Sequence, residues 1–260
     1  MTDLVLLDVA DRVATITLNR PEARNALNGD LLEALTRTLA DADADDAVDV
    51  LVITGADPAF CAGLDLKAVA SGDPRLLGTA PTKDTPVPDR GPFGTLGKPL
   101  IGAVNGFAIT GGFEIALACD FLVASENAKF ADTHARVGLQ PWWGLTVALP
   151  QAIGFRRARE MSATGNFIDA QTALDWGLVN HVVPHAELLP FARKLAADIV
   201  SSNQPAVRRI LATYDDGELL AGHEAWLLEA DVAEAWISGG TAADLEANRQ
   251  AVIDRGRTQA

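Results

Sequence analysis

Two glycine-containing turns constrain the fold of this chain most strongly, because each separates a short apolar run from a segment with helical character. The first turn, DPAFCAGLDLKAV (57–69), follows the apolar run Val50–Thr54, which suits a buried strand. The second, NGFAITGGFEIALACD (105–120), follows the strand-like run Leu100–Val104 and leads into a helix that we expect at Gly112–Ala118. A chain that repeats strand, glycine turn and helix is predicted to be an α/β protein.

A hairpin and a helix are predicted ahead of these turns. Val5–Val9 and Val13–Leu18 are rich in β-branched and apolar residues, which indicates two strands joined tightly through Ala10, Asp11 and Arg12. Asn28 is a favourable N-cap for the next helix, whose leucines recur at helical spacing at positions 31, 32, 35 and 39. Another short strand is predicted at Phe121–Ala124.

Two segments are distinguished by composition and periodicity. Ser71–Pro99 contains six prolines among scattered glycines, so regular structure is not expected through most of it. The segment is either a functional loop, acting as a lid or as part of the entrance to a binding site (its binding mouth), or a disordered loop. From Pro184 onward helical spacing dominates, first at Phe191, Leu195 and Ile199 and later at 227, 228, 232 and 236. We therefore predict a core at 1–184 and a helical segment at 185–260 whose apolar faces suit oligomer contacts.

Charge and hydropathy exclude several classes of function. The chain has 35 acidic and 21 basic residues, a net charge of -14, which argues against nucleic acid or an anionic membrane as the main partner. No apolar run approaches the ~18 residues of a membrane span, and the acidic N-terminus MTDLVLLDVADRV is unlike a signal peptide, so we expect a cytoplasmic protein. Cys61 and Cys119 lie far apart, which suggests neither a disulfide nor a metal site.

The two turns also suggest chemistry. A helix N-terminus carries unpaired N–H donors and a partial positive charge, so two converging turns would hold an oxygen on which negative charge develops. Glu114 follows Gly112 within the first helical turn. A glutamate at that place is favourable by up to ~1 kcal/mol for electrostatic reasons alone, so a structural and a catalytic role both explain it.

Four motifs identify a resemblance. They are NRPEARNALN (19–28), AFCAGLDL (59–66), KPLIGAVNGFAITGGFEIALACD (98–120) and ALDWGLVNHVV (173–183). In order and spacing they resemble the enoyl-CoA hydratase/isomerase family, the crotonase superfamily. The resemblance covers nearly the whole chain to about residue 184. It implies a core of repeated ββα units, C-terminal helices that assemble homotrimers, often paired as hexamers, and an acyl-CoA thioester as the ligand, with no separate cofactor or metal.

The resemblance also assigns roles near the reacting group. The oxyanion hole would use the N–H groups of Leu64 and Gly111. Their hydrogen bonds would stabilise the negative charge that develops on the thioester oxygen as an enolate forms. Glu114 matches the first of the two glutamates that hydratases of this family use. The second position, twenty residues later, holds His134. An imidazole with an ordinary pKa near 6.5 transfers protons near neutral pH, so His134 is either a substitute acid or a polar residue without a catalytic role. A working His134 is expected to titrate between about pH 6 and 7.5.

Other matched positions concern binding. Arg24 lies where the family often has a basic residue near the phosphates of coenzyme A, and Ala62 lies in the backbone stretch that borders the adenine. Trp142 replaces the glycine of a PGxG-like turn, where it would either shorten the acyl site or interfere with water, whereas Trp143 suits the core. Thr110 replaces a third glycine before Gly111, which suggests a stiffer turn.

These features predict reversible addition of water to a 2-enoyl-CoA, with Glu114 as the base and His134 as the acid. The alternatives are double-bond isomerisation or another enolate reaction with one carboxylate, and a catalytically silent acyl-CoA binder. A serine hydrolase is less well supported, because the chain has no GxSxG motif and Ser125 lies at an ordinary strand end.

Overall fold

The unit Met1–Val200 consists of two sheets and the helices that follow their strands. The structure is a computed structural model, and it describes residues 3–77, 91–218 and 220. The strands are β1 (Val5–Ala10), β2 (Val13–Leu18), β3 (Val50–Gly55), β4 (Ala59–Cys61), β5 (Leu100–Val104), β6 (Phe107–Ile109), β7 (Phe121–Ser125), β8 (Lys129–Ala131), β9 (Ile168–Asp169) and β10 (His181–Val183). The helices are α1 (Gly29–Ala44), α2 (Leu66–Ala70), α3 (Pro74–Leu77), α4 (Gly111–Leu117), α5 (His134–Val137), α6 (Leu145–Ile153), α7 (Phe155–Thr164), α8 (Ala170–Trp176) and α9 (Leu188–Val200). Short 3₁₀ turns form at Pro21–Ala23 and His185–Glu187.

The larger sheet has the order β1-β2-β3-β5-β7-β10, and the smaller has the order β4-β6-β8-β9. In the described part of the chain, two strands precede a helix four times. After the β1–β2 hairpin, the first strand of each such unit joins the larger sheet in parallel and the second joins the smaller one. The α/β class and the repeated ββα core expected from the sequence are therefore confirmed.

Strand β3 shows how the larger sheet is covered on both faces. All six of its residues are buried. Leu51 and Ile53 pack in the main core with α1, whereas Val50 and Val52 pack on the opposite face. A strand buried on both faces is continuously apolar, which is why this run is visible in the sequence.

Helix α9 covers that opposite face. Its Leu188, Ala192 and Ala196 are buried against the sheet, with Phe191 and Leu195 packed beside them. The apolar spacing that the sequence shows here therefore serves packing within the unit Met1–Val200. The unit Ser201–Ala260 has one described helix, α10 (Gln204–Glu218). The expected apolar positions at 227–236 lie outside the described residues, and the domain division at 184 and the trimerisation segment stay predictions.

Local capping explains where α1 begins. The side chain of Asn28 accepts a hydrogen bond from the N–H of Leu31 at 2.9 Å, as expected for an N-cap. The helix then buries Leu31, Leu32, Leu35 and Leu39.

The proline-rich segment differs from expectation at its start. Residues Pro74–Leu77 form helix α3, where Asp73 accepts the N–H of Arg75 at 3.0 Å and Leu76 is fully buried. Residues 78–90 of this segment lie outside the described part of the chain, so its predicted role in a binding mouth stays a prediction.

Candidate active site

The two glycine turns lie against each other. Gly63 has φ +88°, a conformation that side-chain-bearing residues rarely adopt, and a Cβ built there would lie 2.7 Å from the carbonyl oxygen of Ile109 and 3.3 Å from the nitrogen of Gly111. Only a residue without a side chain permits this approach. The turn after β4 and the turn before α4 therefore meet at Gly63 and Gly111.

The N–H groups of Leu64 and Gly111 are available at this meeting point. Leu27 donates to the carbonyl of Gly63 at 2.8 Å and accepts from the N–H of Asp65 at 2.8 Å, so the N–H of Leu64 points away from Leu27. Gly111 is the first residue of α4, where an N–H has no partner inside the helix. Neither N–H donates to another group of the described chain.

Residue Thr110 fixes the entry into α4. It has φ 54° and ψ −116°, which is costly for a β-branched residue, on the order of 1–3 kcal/mol. Two contacts hold this backbone in place. The N–H of Thr110 donates to the carbonyl of Ala131 at 3.0 Å, and its hydroxyl lies 2.8 Å from that of Thr133.

Gly112 allows α4 to pack closely against β4, because it has no side chain. A Cβ at this position would lie 2.1 Å from the carbonyl oxygen of Cys61, closer than any real contact. The close packing sets the depth of α4 and therefore the position of Glu114, which lies two residues further along the helix.

Glu114 is buried, with 2% of its side chain exposed, and both carboxylate oxygens have a neighbour. One oxygen, Oε1, accepts the backbone N–H of Trp143 at 2.8 Å. The other, Oε2, lies 3.5 Å from Nε2 of His134. The carboxylate is thus directed at the imidazole.

His134 has an acidic neighbour on its other nitrogen. Its Nδ1 lies 2.7 Å from Oδ1 of Asp132, and its backbone N–H donates to the same oxygen at 3.1 Å. Burial lowers the pKa of His134, but the hydrogen bonds to Asp132 and Glu114 outweigh it and raise that pKa to about 9. The expected titration between pH 6 and 7.5 is therefore wrong, because that expectation used the ordinary pKa of an unpaired imidazole. The raised pKa favours the imidazolium form of His134 at neutral pH.

Asp132 is a site residue that sequence reasoning missed. Burial raises the pKa of its carboxyl group, whereas hydrogen bonds from His134 and Ser162 and the positive charge of His134 more than compensate and leave that pKa lowered. The available signal was an acidic residue two positions before a histidine at the end of a strand. That spacing is common in turns, so it does not by itself indicate a site.

A small cavity opens beside Leu64 and Thr110. It has a volume of about 80 Å³, and its walls are mainly aliphatic, from Leu64, Leu66, Val137 and Leu139. Ala62 lines it too, along with Thr110 and Thr133, the two residues whose hydroxyls meet. The cavity therefore combines apolar walls with the turn that carries Leu64.

The two tryptophans occupy different environments. Trp143 is buried, and a Cβ on Gly111 would lie 3.3 Å from its ring, so this indole packs over the second turn. Trp142 packs edge-on against Trp143 with ring centroids 6.4 Å apart. The indole N–H of Trp142 is buried and has no hydrogen-bond partner among the described residues.

Arg24 and Ala62 are joined through the backbone. The N–H of Ala62 donates to the carbonyl of Arg24 at 3.1 Å, and the guanidinium of Arg24 lies 5.9 Å from the ring centroid of Phe107. Asn25 organises this turn from within. Its fully buried amide donates to the carbonyls of Ala59 at 2.7 Å and Phe60 at 3.2 Å.

A Ser–His–Asp array occurs elsewhere in the same unit. The hydroxyl of Ser125 lies 3.0 Å from Nδ1 of His185, whose Nε2 lies 3.1 Å from Oδ2 of Asp57. These are the group types of a hydrolase triad. However, Ser125 is fully buried, and its oxygen already accepts the N–H of Asn127 at 3.1 Å. A nucleophile must reach its substrate, so this array links structural elements and does not support a hydrolase.

Two negative findings concern the described residues alone. Within 3–77, 91–218 and 220, no group of three or more histidine, cysteine or acidic side chains is arranged to hold a metal ion. No helix in that part of the chain is long and apolar enough to span a membrane.

Fold and site together define a class of protein. A ββα-repeat fold here holds the carboxylate of Glu114 and the imidazole of His134 near two backbone N–H groups without a partner among the described residues, a set of groups that can transfer protons and hydrogen-bond to an oxyanion. Residues 8–242 match the family model described as enoyl-CoA hydratase/isomerase. This chain belongs to the enoyl-CoA hydratase/isomerase family.

Individual relatives agree with the family. The chain is 42% identical to a probable peroxisomal enoyl-CoA hydratase of Arabidopsis thaliana over 94% of this chain and 90% of that one. It is 36% identical to a crotonyl-CoA hydratase of Syntrophomonas wolfei over 87% of both chains. Among solved structures, an enoyl-CoA hydratase from Mycobacterium smegmatis is 49% identical, with a TM-score of 0.74 over 91% of this chain and 99% of that one.

Proposed function

We propose that this enzyme is a hydratase that adds water reversibly across the double bond of a 2-enoyl-CoA thioester. One observation carries the proposal. The buried carboxylate of Glu114 is held by a backbone N–H and directed at the imidazolium of His134, next to the unpaired N–H groups of Leu64 and Gly111. A base, an acid and an oxyanion site are the three functions that hydration of a conjugated thioester requires.

The addition step uses each group once. The carboxylate of Glu114 takes a proton from water while the water oxygen bonds to C3. Electrons of the double bond move onto the thioester oxygen, and the resulting enolate accepts hydrogen bonds from the N–H groups of Leu64 and Gly111. Loss of one such donor costs about 2.7–4 kcal/mol of barrier.

The protonation step completes the reaction. The Nε2–H of the imidazolium of His134 gives its proton to C2, and the enolate returns to the thioester. The neutral imidazole then regains a proton from the carboxylic acid of Glu114, across the 3.5 Å between Nε2 and Oε2. Two atoms at this separation can both hydrogen-bond to one water at about 2.8 Å, so the same pair also orients the attacking water.

Binding residues follow from the family positions. Arg24 and Ala62, joined through their backbone, would hold the phosphates and border the adenine of coenzyme A. Trp142 would limit the length of the acyl chain. The reaction needs no cofactor besides the coenzyme A of the substrate. Assembly into trimers or pairs of trimers and a cytoplasmic location also belong to this proposal, although the Arabidopsis relative is described as peroxisomal.

A panel of CoA esters tests the function. The purified chain is expected to hydrate crotonyl-CoA or a longer or aromatic 2-enoyl-CoA, followed by loss of the absorbance of the conjugated thioester. Glu114→Gln removes the base and should lower kcat about 10³-fold. Glu126→Gln is the matched control, because this exposed carboxylate accepts the N–H of His185 at 3.3 Å and contacts neither Glu114 nor His134 among the described residues.

Two results would overturn the hydratase proposal. Conversion of 3-enoyl-CoA to 2-enoyl-CoA without hydration would identify an isomerase, for which one carboxylate suffices. Saturable binding of acyl-CoA with no turnover of any ester, and no difference between wild type and Glu114→Gln, would identify a silent binder.

A further inference from the structure

We propose that Asp132 is a positioning residue for this reaction, whose buried carboxylate holds the ring of His134 with Nε2 directed at Glu114. The inference rests on the proposed function, since it assigns a task to a residue beside the acid of that mechanism. It gives the site a second carboxylate that acts through the imidazole and does not touch the substrate.

The geometry leaves the imidazole little freedom. Oδ1 of Asp132 lies 2.7 Å from Nδ1 of His134, and the side chains are 2% and 5% exposed. With Nδ1–H donated to Asp132, the other nitrogen is the one presented to Glu114, at 3.5 Å. A carboxylate on one nitrogen of a histidine fixes both the ring orientation and the site of the exchangeable proton.

Asp132 is itself anchored from three directions. It follows directly on β8, whose last residue, Ala131, accepts the N–H of Thr110 at 3.0 Å. The next residue, Thr133, meets the hydroxyl of Thr110 at 2.8 Å. On the side of α7, Ser162 hydrogen-bonds to the carboxylate. The segment that carries the acid is therefore tied to the turn that carries the oxyanion donor Gly111.

The negative charge of Asp132 distinguishes the positioning of His134 from simple capping of a backbone N–H. Asp132 also accepts the backbone N–H of His134 at 3.1 Å, which an amide oxygen would do equally well. Only a carboxylate, however, stabilises the imidazolium. The charged groups that act on His134 are Asp132 and Glu114, and each favours its protonated form. Removal of one of these charges leaves the imidazole less basic.

The substitution Asp132→Asn separates the two roles. It keeps an acceptor for the backbone N–H and removes the negative charge. We expect kcat for a 2-enoyl-CoA to fall about 10²-fold or more with KM within threefold, and the alkaline limit of activity to move below pH 9. The matched control is Asp169→Asn, since Asp169 caps α8 by accepting the N–H of Thr172 at 2.9 Å and contacts no histidine among the described residues.

A second measurement does not depend on turnover. Titration of the imidazole C–H signals by NMR, assigned with His134→Gln, should give a pKa near 9 in wild type and a clearly lower value in Asp132→Asn. A folded Asp132→Asn variant with unchanged kcat, pH profile and His134 titration would overturn the positioning role and leave the hydratase proposal intact. If wild type turns over no ester, the proposed function fails instead. In that case the NMR titration alone decides whether Asp132 sets the pKa of His134. An unchanged pKa of His134 in Asp132→Asn would refute this role of Asp132.

Discussion

At the scale of single residues, this site is built largely from backbone groups. Leu64 and Gly111 contribute N–H donors, Trp143 contributes the N–H that orients Glu114, and Arg24 accepts the N–H of Ala62. Side-chain chemistry is concentrated in Glu114 and the imidazole beside it. A sequence shows which side chains are present but not which backbone N–H groups are free. The family motif was therefore needed to single out the N–H groups of Leu64 and Gly111.

The charge of Arg24 provides a prediction at this scale. Arg24→Gln is expected to raise KM for CoA esters about tenfold with kcat nearly unchanged, because the proposed charge-assisted contact with a phosphate would be lost while the reacting groups stay in place. Steady-state kinetics with one ester measures the change. Arg37→Gln, an exposed position on α1, serves as the control. A fall in kcat at constant KM would contradict a role in binding coenzyme A.

At the scale of elements, the junction of β4 with α4 sets the position of Glu114. Gly112→Ala is expected to lower the free energy of unfolding by about 3 kcal/mol, because its Cβ would overlap the backbone of Cys61, which cannot rotate away. The helix must then move outward and carry Glu114 with it, so kcat should also fall about 10²-fold. Denaturant unfolding and the hydration assay measure the two effects.

Gly94→Ala is the matched control for this junction. A Cβ at Gly94 meets no atom within 4 Å, so we expect a change in unfolding free energy within about 0.5 kcal/mol and unchanged kcat. Equal behaviour of the two glycine variants would show that the packing of α4 on β4 does not set the site.

Elements with a clear apolar pattern were predictable from the sequence, and the shortest were not. The start and the leucine face of α1 follow from its cap and its periodicity, and the apolar run of β3 was predicted to within one residue of the observed bounds. Strands β4, β6 and β8 have three residues each, too few for an alternation to be recognised. Likewise, family spacing was enough to propose roles for Glu114 and His134. The contact of Asp132 with His134 became visible only in the fold, because only the tertiary structure shows which nitrogen faces which carboxylate.

At the scale of the whole molecule, the charged cluster links stability to pH. The pKa of His134 is raised from 6.5 to about 9 in the folded chain. Its stabilising contribution is therefore complete below about pH 6.5 and is lost as the pH rises through 9. We expect the free energy of unfolding to fall by a few kcal/mol over this interval, measured by denaturant unfolding at a series of pH values.

The variant His134→Gln supplies the comparison for this prediction. It should be less stable than wild type at pH 6.5 and should show a much smaller loss between pH 6.5 and 9. Burial raises the pKa of the Cys61 thiol to about 12. Above pH 9 this thiol therefore lowers the free energy of unfolding further, in both proteins. Parallel stability curves for the two proteins up to pH 9 would contradict the linkage.

The contact between the N–H of Trp143 and Glu114 has a consequence for redesign of the enzyme. Because the donor is a main-chain group, every amino acid except proline can supply it at position 143. Libraries that randomise positions 142 and 143 can therefore vary the proposed wall of the acyl site while the carboxylate of Glu114 stays oriented. Folding stability sets the limit on such libraries, since Trp143 is a buried core residue.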